Sequence, residues 1–300
     1  MNSVQTSRRG FLKSGTAAAV LAGTASFAAT ARAEDSSTGE NKGVILKSVK
    51  WGMIGVKGSV PEKFQLMKEL GYDGMELVSP GIDNKAEAVA ASEMTGMPIH
   101  GVVDQVHWRD RLSSPDAATR AKGLAALKTA IEDTHLFRGS SVLLVPGRVS
   151  GANETHDHVW QRSIVEIRKA IPLAARLGVR ILIENVWNGF CEKPAQLRDY
   201  VDEIDSPWVG VYFDIGNVRK FGPPENWIRV LGRRIVKLDV KDWGKANGFC
   251  KIGDGDVDWP EVRKALAEIR FTGWCTAEVG GGPRARLAEI AERMNKSLAL

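Results

Sequence analysis

Apolar residues along this chain fall into short runs separated by longer amphipathic stretches. The runs at 48–55, 74–79, 98–103, 141–147, 180–186, 209–214, 234–240 and 273–279 are rich in Val, Ile, Leu and aromatics, and most follow a glycine or a polar turn. That is the pattern of buried strands. Between them, apolar positions recur at helical spacing over 61–70, 83–96, 115–137, 155–177, 193–204, 224–231, 260–269 and 285–297. Start and stop signals agree. "SSPD" (113–116) opens the third helix and Gly178 closes the fourth, while Pro61, Pro224 and Pro260 sit in first turns, where a missing N–H costs nothing.

Eight strands, each followed by a helix, predict an α/β fold: a single-domain (β/α)8 TIM barrel over 47–300, close to the usual size of about 250 residues. A doubly wound sheet would carry a G-x-G-x-x-G turn after its first strand, and "GVKGSV" (55–60) only approaches it. Within the seventh run, "RIVKLDVKD" (234–242), Val236, Leu238 and Val240 share one face, and Lys237, Asp239 and Lys241 share the other. In a barrel the first face meets the helices and the second points inward.

The apolar fraction of 43% and charged fraction of 26% are those of an ordinary globular chain. The net charge of +5 is concentrated at one end. Residues 1–33 hold Arg8, Arg9, Lys13, Arg32 and no acid; setting these four aside from the 41 basic residues leaves 37 against 36 acids. No basic stripe remains to suggest nucleic acid. The first segment reads as an address: "SRRGFLK" (7–13), an Ala/Gly-rich apolar run, then "ARA" (31–33). It resembles a twin-arginine export signal with its cleavage site, which implies the twin-arginine translocase as a partner and a periplasmic destination. The polar stretch 34–46 reads as a linker, and no segment is apolar enough for a membrane span. Cys191, Cys250 and Cys275 make no disulfide framework, and Cys275, within a strand run, reads as core.

Barrel enzymes carry their chemistry at the C-terminal ends of the strands. Strands five to eight deliver there Glu184, Asp214, Asp239 and Glu278, each flanked by apolar residues. One such acid often pairs with a lysine or caps the next helix. Four crowded in one mouth must take up protons, pair with bases or bind a cation. A divalent metal resolves the crowding most directly, and an all-oxygen set suits Mn²⁺ or Mg²⁺, with Co²⁺ a further candidate, better than Zn²⁺.

"LIENVW" (182–187), "VYFDIGN" (211–217), "KLDVKD" (237–242), "GDGDVDW" (253–259) and "AEVGG" (277–281) occur in this order, preceded by "QVHWRDRLSS" (105–114). Over about residues 48–297 the set resembles the xylose isomerase-like TIM-barrel sugar isomerases and epimerases. In the ketose 3-epimerases of that family a Glu, an Asp, a His and a Glu hold the metal. The resemblance makes Glu184, Asp214, Asp239 and Glu278 the metal ligands, with Asp239 standing where relatives have His and adding a negative charge. It implies proton transfer through an enediolate, with Glu184 and Glu278 as catalytic acid and base on a ketose or keto-sugar.

His107, Trp108 and Trp187 fall on loops or strand ends at the same mouth, where aromatic faces suit sugar C–H surfaces. Asn217 and Lys245 stand where relatives place a substrate-binding His and Arg, and neither matches in identity. Lys241 shares the face of Asp239 and either contacts substrate or balances charge. His100 reads as a core histidine; Glu76 ends strand two, in the mouth or in an ion pair; His135, His156 and His158 show no ligand spacing. The alternatives are a 3-keto-glycoside lyase starting from the same proton abstraction, and a non-catalytic sugar-binding barrel. A trinuclear-zinc DNA-repair nuclease is disfavoured by five histidines, none beyond residue 158, and by the lack of a basic face. A small-molecule carbohydrate is therefore the expected partner, and a homo-oligomer is left open.

Overall fold

Parallel pairing of the apolar runs builds the molecule. The structure, a computed structural model, describes residues 45–300, so the export-signal reading of 1–33 and nearly all of the linker lie outside the described residues. The strands are β1 (Ile45–Lys50), β2 (Gly74–Ser79), β3 (Ile99–Asp104), β4 (Ser141–Leu144), β5 (Arg180–Glu184), β6 (Val209–Asp214) and β7 (Ile235–Val240). A hairpin of β8 (Asp242–Gly244) and β9 (Gly248–Cys250) follows, then β10 (Gly273–Ala277). Eight of these close a parallel barrel in the order β1-β10-β7-β6-β5-β4-β3-β2, with β8 and β9 pairing antiparallel outside it.

The surrounding helices are α1 (Val60–Glu69), α2 (Lys85–Thr95), α3 (Ala117–Leu136), α4 (His156–Leu177), α5 (Pro194–Ile204), the short α6 (Ile215–Val218), α7 (Pro224–Leu231), α8 (Trp259–Glu268) and α9 (Arg284–Leu298). Their ends follow the sequence signals. Asp116 caps α3 by accepting from Ala118 and Thr119 N–H, and Gly178 ends α4 at φ 69, a left-handed conformation that suits glycine. Pro61, Pro224 and Pro260 occupy first turns.

Several boundaries differ from the sequence expectation. The first strand lies at 45–50 rather than 48–55, because the chain turns into a 3-10 helix at Trp51–Met53. The eighth stops at Ala277, one residue before Glu278. The β8–β9 hairpin and α6 were not anticipated: elements of three or four residues are too short to show a period.

Side chains alternate as the barrel demands. Leu238 and Val240 are fully buried in the large core between strands and helices, with Ile181, Ile183, Val211 and Phe213. Val236 departs from its expected face at a bulge between β6 and β7, and packs on the smaller cluster of Leu143, Leu182 and Tyr212. The barrel interior is partly polar. Ser48 Oγ donates to Thr276 Oγ1 at 2.7 Å and lies 2.8 Å from His100 Nε2; Lys237 Nζ donates to the His100 carbonyl at 2.7 Å and lies 2.9 Å from its Nδ1. His100 is thus a satisfied core histidine, stacked on Trp274. Burial, with the Glu76 carboxylate opposing it, brings the Lys237 ammonium down to about 7.

Glu154, between β4 and α4, fixes the loop that follows β3. Arg111 grips it in a two-pronged pair (Nε–Oε1 3.0 Å, Nη2–Oε2 2.7 Å), and Ser113 and Ser150 donate to it as well. That loop carries His107 and Trp108 to the barrel mouth. Burial pushes the Glu154 carboxyl up, but the donors outweigh it and hold it near 2, against 4.5 for a free glutamate. A depressed carboxyl stabilises the fold above its unfolded pKa and loses that contribution as pH falls. Glu154→Ala is expected to lower the urea-unfolding free energy by about 3 kcal/mol at pH 7. The gap from wild type should narrow as pH falls from 4.5 toward 2; a gap independent of pH would disprove the clamp.

Candidate active site

The four acids of β5, β6, β7 and β10 meet at the C-terminal mouth. One carboxylate oxygen from each of Glu184, Asp214, Asp239 and Glu278 lies within 4.8 Å of the others. Asp214 and Asp239 are fully buried and Glu184 nearly so, while the Glu278 side chain is 29% exposed. At a separation of about 4 Å, each like-charged pair costs about 4 kcal/mol at the effective dielectric of a protein site. The protein offsets this with two ammonium groups. Lys50 Nζ, from the end of β1, lies 2.8 Å from Asp239 Oδ2, 2.7 Å from Glu278 Oε1 and 3.9 Å from Glu76. Lys241 Nζ lies 3.0 Å from Asp214 Oδ2 and bridges to Glu278 Oε2.

The titrations follow from this layout. Burial and the Lys50 and Lys241 charges pull Glu278 in opposite directions, and the two lysines win, holding it well below the usual carboxylate range. Glu184 is pushed well above that range by burial and by the Glu278 and Asp214 charges, against Lys50 and Lys241. Burial also raises Asp214 to about 7. Both lysines are fully ionised because the carboxylates overcome their burial.

Backbone and amide contacts aim the acids. Asn185, next to Glu184, donates from Nδ2 to the Asp214 carbonyl (2.8 Å) and accepts the Asp214 N–H on Oδ1 (2.9 Å), pinning β5 to β6. Asp214 caps α6 by accepting the Asn217 N–H on Oδ1 at 2.7 Å, which turns its Oδ2 toward the cluster. Asn217 donates to the Asn185 carbonyl and accepts from Lys241.

A cavity of about 470 Å³ opens over the acids. Glu184, Glu278, Lys50, Lys241 and Asn217 line it, with His107, Trp108, Trp187 and Phe249. A larger cavity of about 550 Å³, around Trp259, Arg263 and Arg293, includes none of the four acids. Chemistry, not size, singles out the smaller one. Burial, reinforced by Lys50, lowers the His107 imidazole to about 3, so the ring is neutral. Its Nδ1 accepts the Val145 N–H at 3.2 Å, which assigns the proton to Nε2 and makes His107 a donor rather than a base. Trp187 donates to the Asn217 carbonyl and packs on Phe249 at 4.7 Å.

Lys245 is not brought to this mouth. It is exposed in the turn of the β8–β9 hairpin, its N–H held by Asp256 Oδ2, and it does not line the cavity. The hairpin reverses the chain, so spacing from Asp239 does not carry to the site. Glu76 lies beneath the mouth, fully buried. His135, His156 and His158 stand in or beside helices and outside the cavity lining. The sequence reading missed Lys50, Asn185 and Asp242. Asp242 is fully buried and accepts from the Trp243, Gly253 and Val257 N–H groups and Trp259 Nε1, tying the hairpin to α8. Lys50 lies inside the strand expected over 48–55, with nothing in the sequence to mark it as a site residue.

The donor set fits a divalent cation. Asp239 Oδ1 is buried with no hydrogen-bond partner, and Asp214 Oδ2 and Glu278 Oε2 face Lys241 without hydrogen-bond alignment. With all four carboxylates ionised, the two ammoniums leave a charge of −2, which one divalent ion neutralises and in turn favours. Glu184, Asp214, Asp239 and Glu278 are the residues that would hold it.

A family model described as xylose isomerase-like TIM barrel matches residues 64–297, and the chain belongs to that family. Its curated relatives include L-ribulose-5-phosphate 3-epimerase UlaE of Escherichia coli (strain SMS-3-5 / SECEC), 24% identical over 79% of this chain and 89% of that protein. Among solved structures, a D-tagatose 3-epimerase-like protein superposes with a TM-score of 0.72 at 21% identity, covering 85% of this chain and 97% of that one. The 3-keto-D-glucoside 4-epimerase YcjR of E. coli gives 0.73 at 16% identity, covering 85% and 100%.

If the four acids form one cation site, the purified protein should take up about one Mn²⁺ per chain. Asp214→Asn should weaken that binding at least about tenfold, read from the free-Mn²⁺ electron paramagnetic resonance signal. Unchanged affinity in the variant would place the metal elsewhere.

Proposed function

We propose that this protein is a sugar epimerase or isomerase acting on an unphosphorylated ketose or keto-sugar by proton transfer through an enediolate. The observation that carries the reading is the convergence of Glu184 and Glu278 on one cavity beside two buried aspartates. Relatives named as ketose-phosphate 3-epimerase and keto-glucoside 4-epimerase support the class. Nothing among them supports elimination, so reprotonation is preferred to a lyase outcome. Four acids retained at the mouth favour catalysis over a binding module.

When bound, a divalent cation, Mn²⁺ or Mg²⁺ by its all-oxygen donors, would polarise the substrate carbonyl and offset charge developing on its oxygen. The protein's own residues handle the protons. β5 and β10 are separated by β6 and β7 around the barrel, so Glu184 and Glu278 reach the cavity from different sides. One of the two glutamates accepts the proton next to the carbonyl. The other glutamate, reaching the cavity from the far side, returns a proton to the opposite face. His107 Nε2–H is a donor for a sugar oxygen, and Trp108, Trp187 and Phe249 offer ring faces at the rim.

Export by the twin-arginine route, proposed from residues 1–33, would place the activity in the periplasm. Replacing Arg8 and Arg9 by Lys should then leave the protein in the cytoplasm, as read by cell fractionation. For the chemistry, incubation with Mn²⁺ and a panel of ketoses and 3-keto-glycosides in heavy water should introduce deuterium next to the carbonyl. Glu184→Gln and Glu278→Gln should each slow exchange by about a thousandfold. Absence of exchange with every sugar, or turnover surviving either substitution, would overturn this reading.

A further inference from the structure

The lysine at the end of β1 has the least expected position in the molecule. Lys50 is 12% exposed, and its ammonium spans Asp239 Oδ2 and Glu278 Oε1. These two residues supply half of the four-acid set. Its reach stops at Glu76, a fifth carboxylate, wholly buried, with neither oxygen hydrogen-bonded. Among the described residues, Lys237 also acts on Glu76, and its ammonium is hydrogen-bonded to the His100 imidazole and carbonyl. Lys241 serves the other side, Asp214 and the second oxygen of Glu278. Removing Lys50 would leave the buried Asp239 without its ion-pair partner and Glu76 with Lys237 as its remaining counter-charge.

We propose that Lys50 is a built-in counter-cation of the carboxylate cluster, which keeps Asp239 and Glu278 in place without a metal and, by occupying one oxygen of each, lowers the site's affinity for a divalent ion. The inference builds on the reading of the four acids as a cation site. A fixed ammonium beside the cluster repels a divalent ion and offsets part of the charge that would attract one. Tight metal binding is thereby exchanged for a mouth that is already assembled when metal is scarce. Lys50 is a positioning residue in this account, acting through the two acids it holds.

The test compares wild type, Lys50→Met and Lys50→Arg, each stripped with chelator, by thermal melting and by Mn²⁺ titration followed through the free-ion resonance signal. Lys50→Met should melt about 8 °C or more below wild type without metal and should bind Mn²⁺ at least about tenfold more tightly. Lys50→Arg, which keeps the charge, should melt within about 3 °C of wild type. Recovery of Lys50→Met only when Mn²⁺ is present during purification would also support the proposal. A metal-free Lys50→Met that melts with wild type, or that binds Mn²⁺ no more tightly, would overturn it. So would a Lys50→Arg protein as damaged as Lys50→Met, since the effect would then be shape rather than charge. If neither wild type nor Lys50→Met takes up Mn²⁺, the cation-site reading fails; the counter-ion role then stands or falls on the melting comparison.

Discussion

Repulsion among buried carboxylates is the constraint around which the mouth of this barrel is organised. Glu184, Asp214, Asp239 and Glu278 meet within a few ångströms, and Glu76 adds a fifth buried carboxylate just below. Such a cluster unfolds its surroundings unless its charge is balanced. Two lysines balance half the charge of the four mouth acids, each bridging a pair of them and sharing Glu278 between them. The remaining charge matches one divalent ion.

The same arrangement separates the two glutamates chemically. Glu278 sits between both ammoniums and stays ionised, whereas Glu184 has no hydrogen-bonding partner among the described residues and carries a raised carboxyl. Two identical side chains are thus given different environments by their surroundings alone. Beneath them, the Ser48–His100–Lys237–Thr276 network ties β1, β3, β7 and β10 together across the barrel interior. Around them, Asn185 and Asn217 tie strand ends to one another, and Asp242 anchors the hairpin that brings Phe249 over the cavity.

Much of this was legible along the chain, because barrel strands and helices have periods that survive in sequence. The four acids could be read because each closes an apolar run, and a closed parallel barrel turns the ends of such runs toward one point. The inward face of "RIVKLDVKD" followed from alternation, and Lys237 and Asp239 do point in. Lys245 was misplaced because residue spacing loses meaning once the chain doubles back in a three-residue hairpin.

The sequence by itself determined the architecture and the membership of the acid set, since both depend on local patterning repeated eight times. Only the tertiary structure decided how that set is held. Lys50 is 189 residues from Asp239 and 228 from Glu278, and nothing local distinguishes it from a lysine in water. Barrel closure sets β1 beside β10, and that contact turns an ordinary strand-end lysine into the counter-charge of the site. Electrostatic partners chosen by closure across the whole chain leave no periodic trace, so the fold had to be closed before they could be seen.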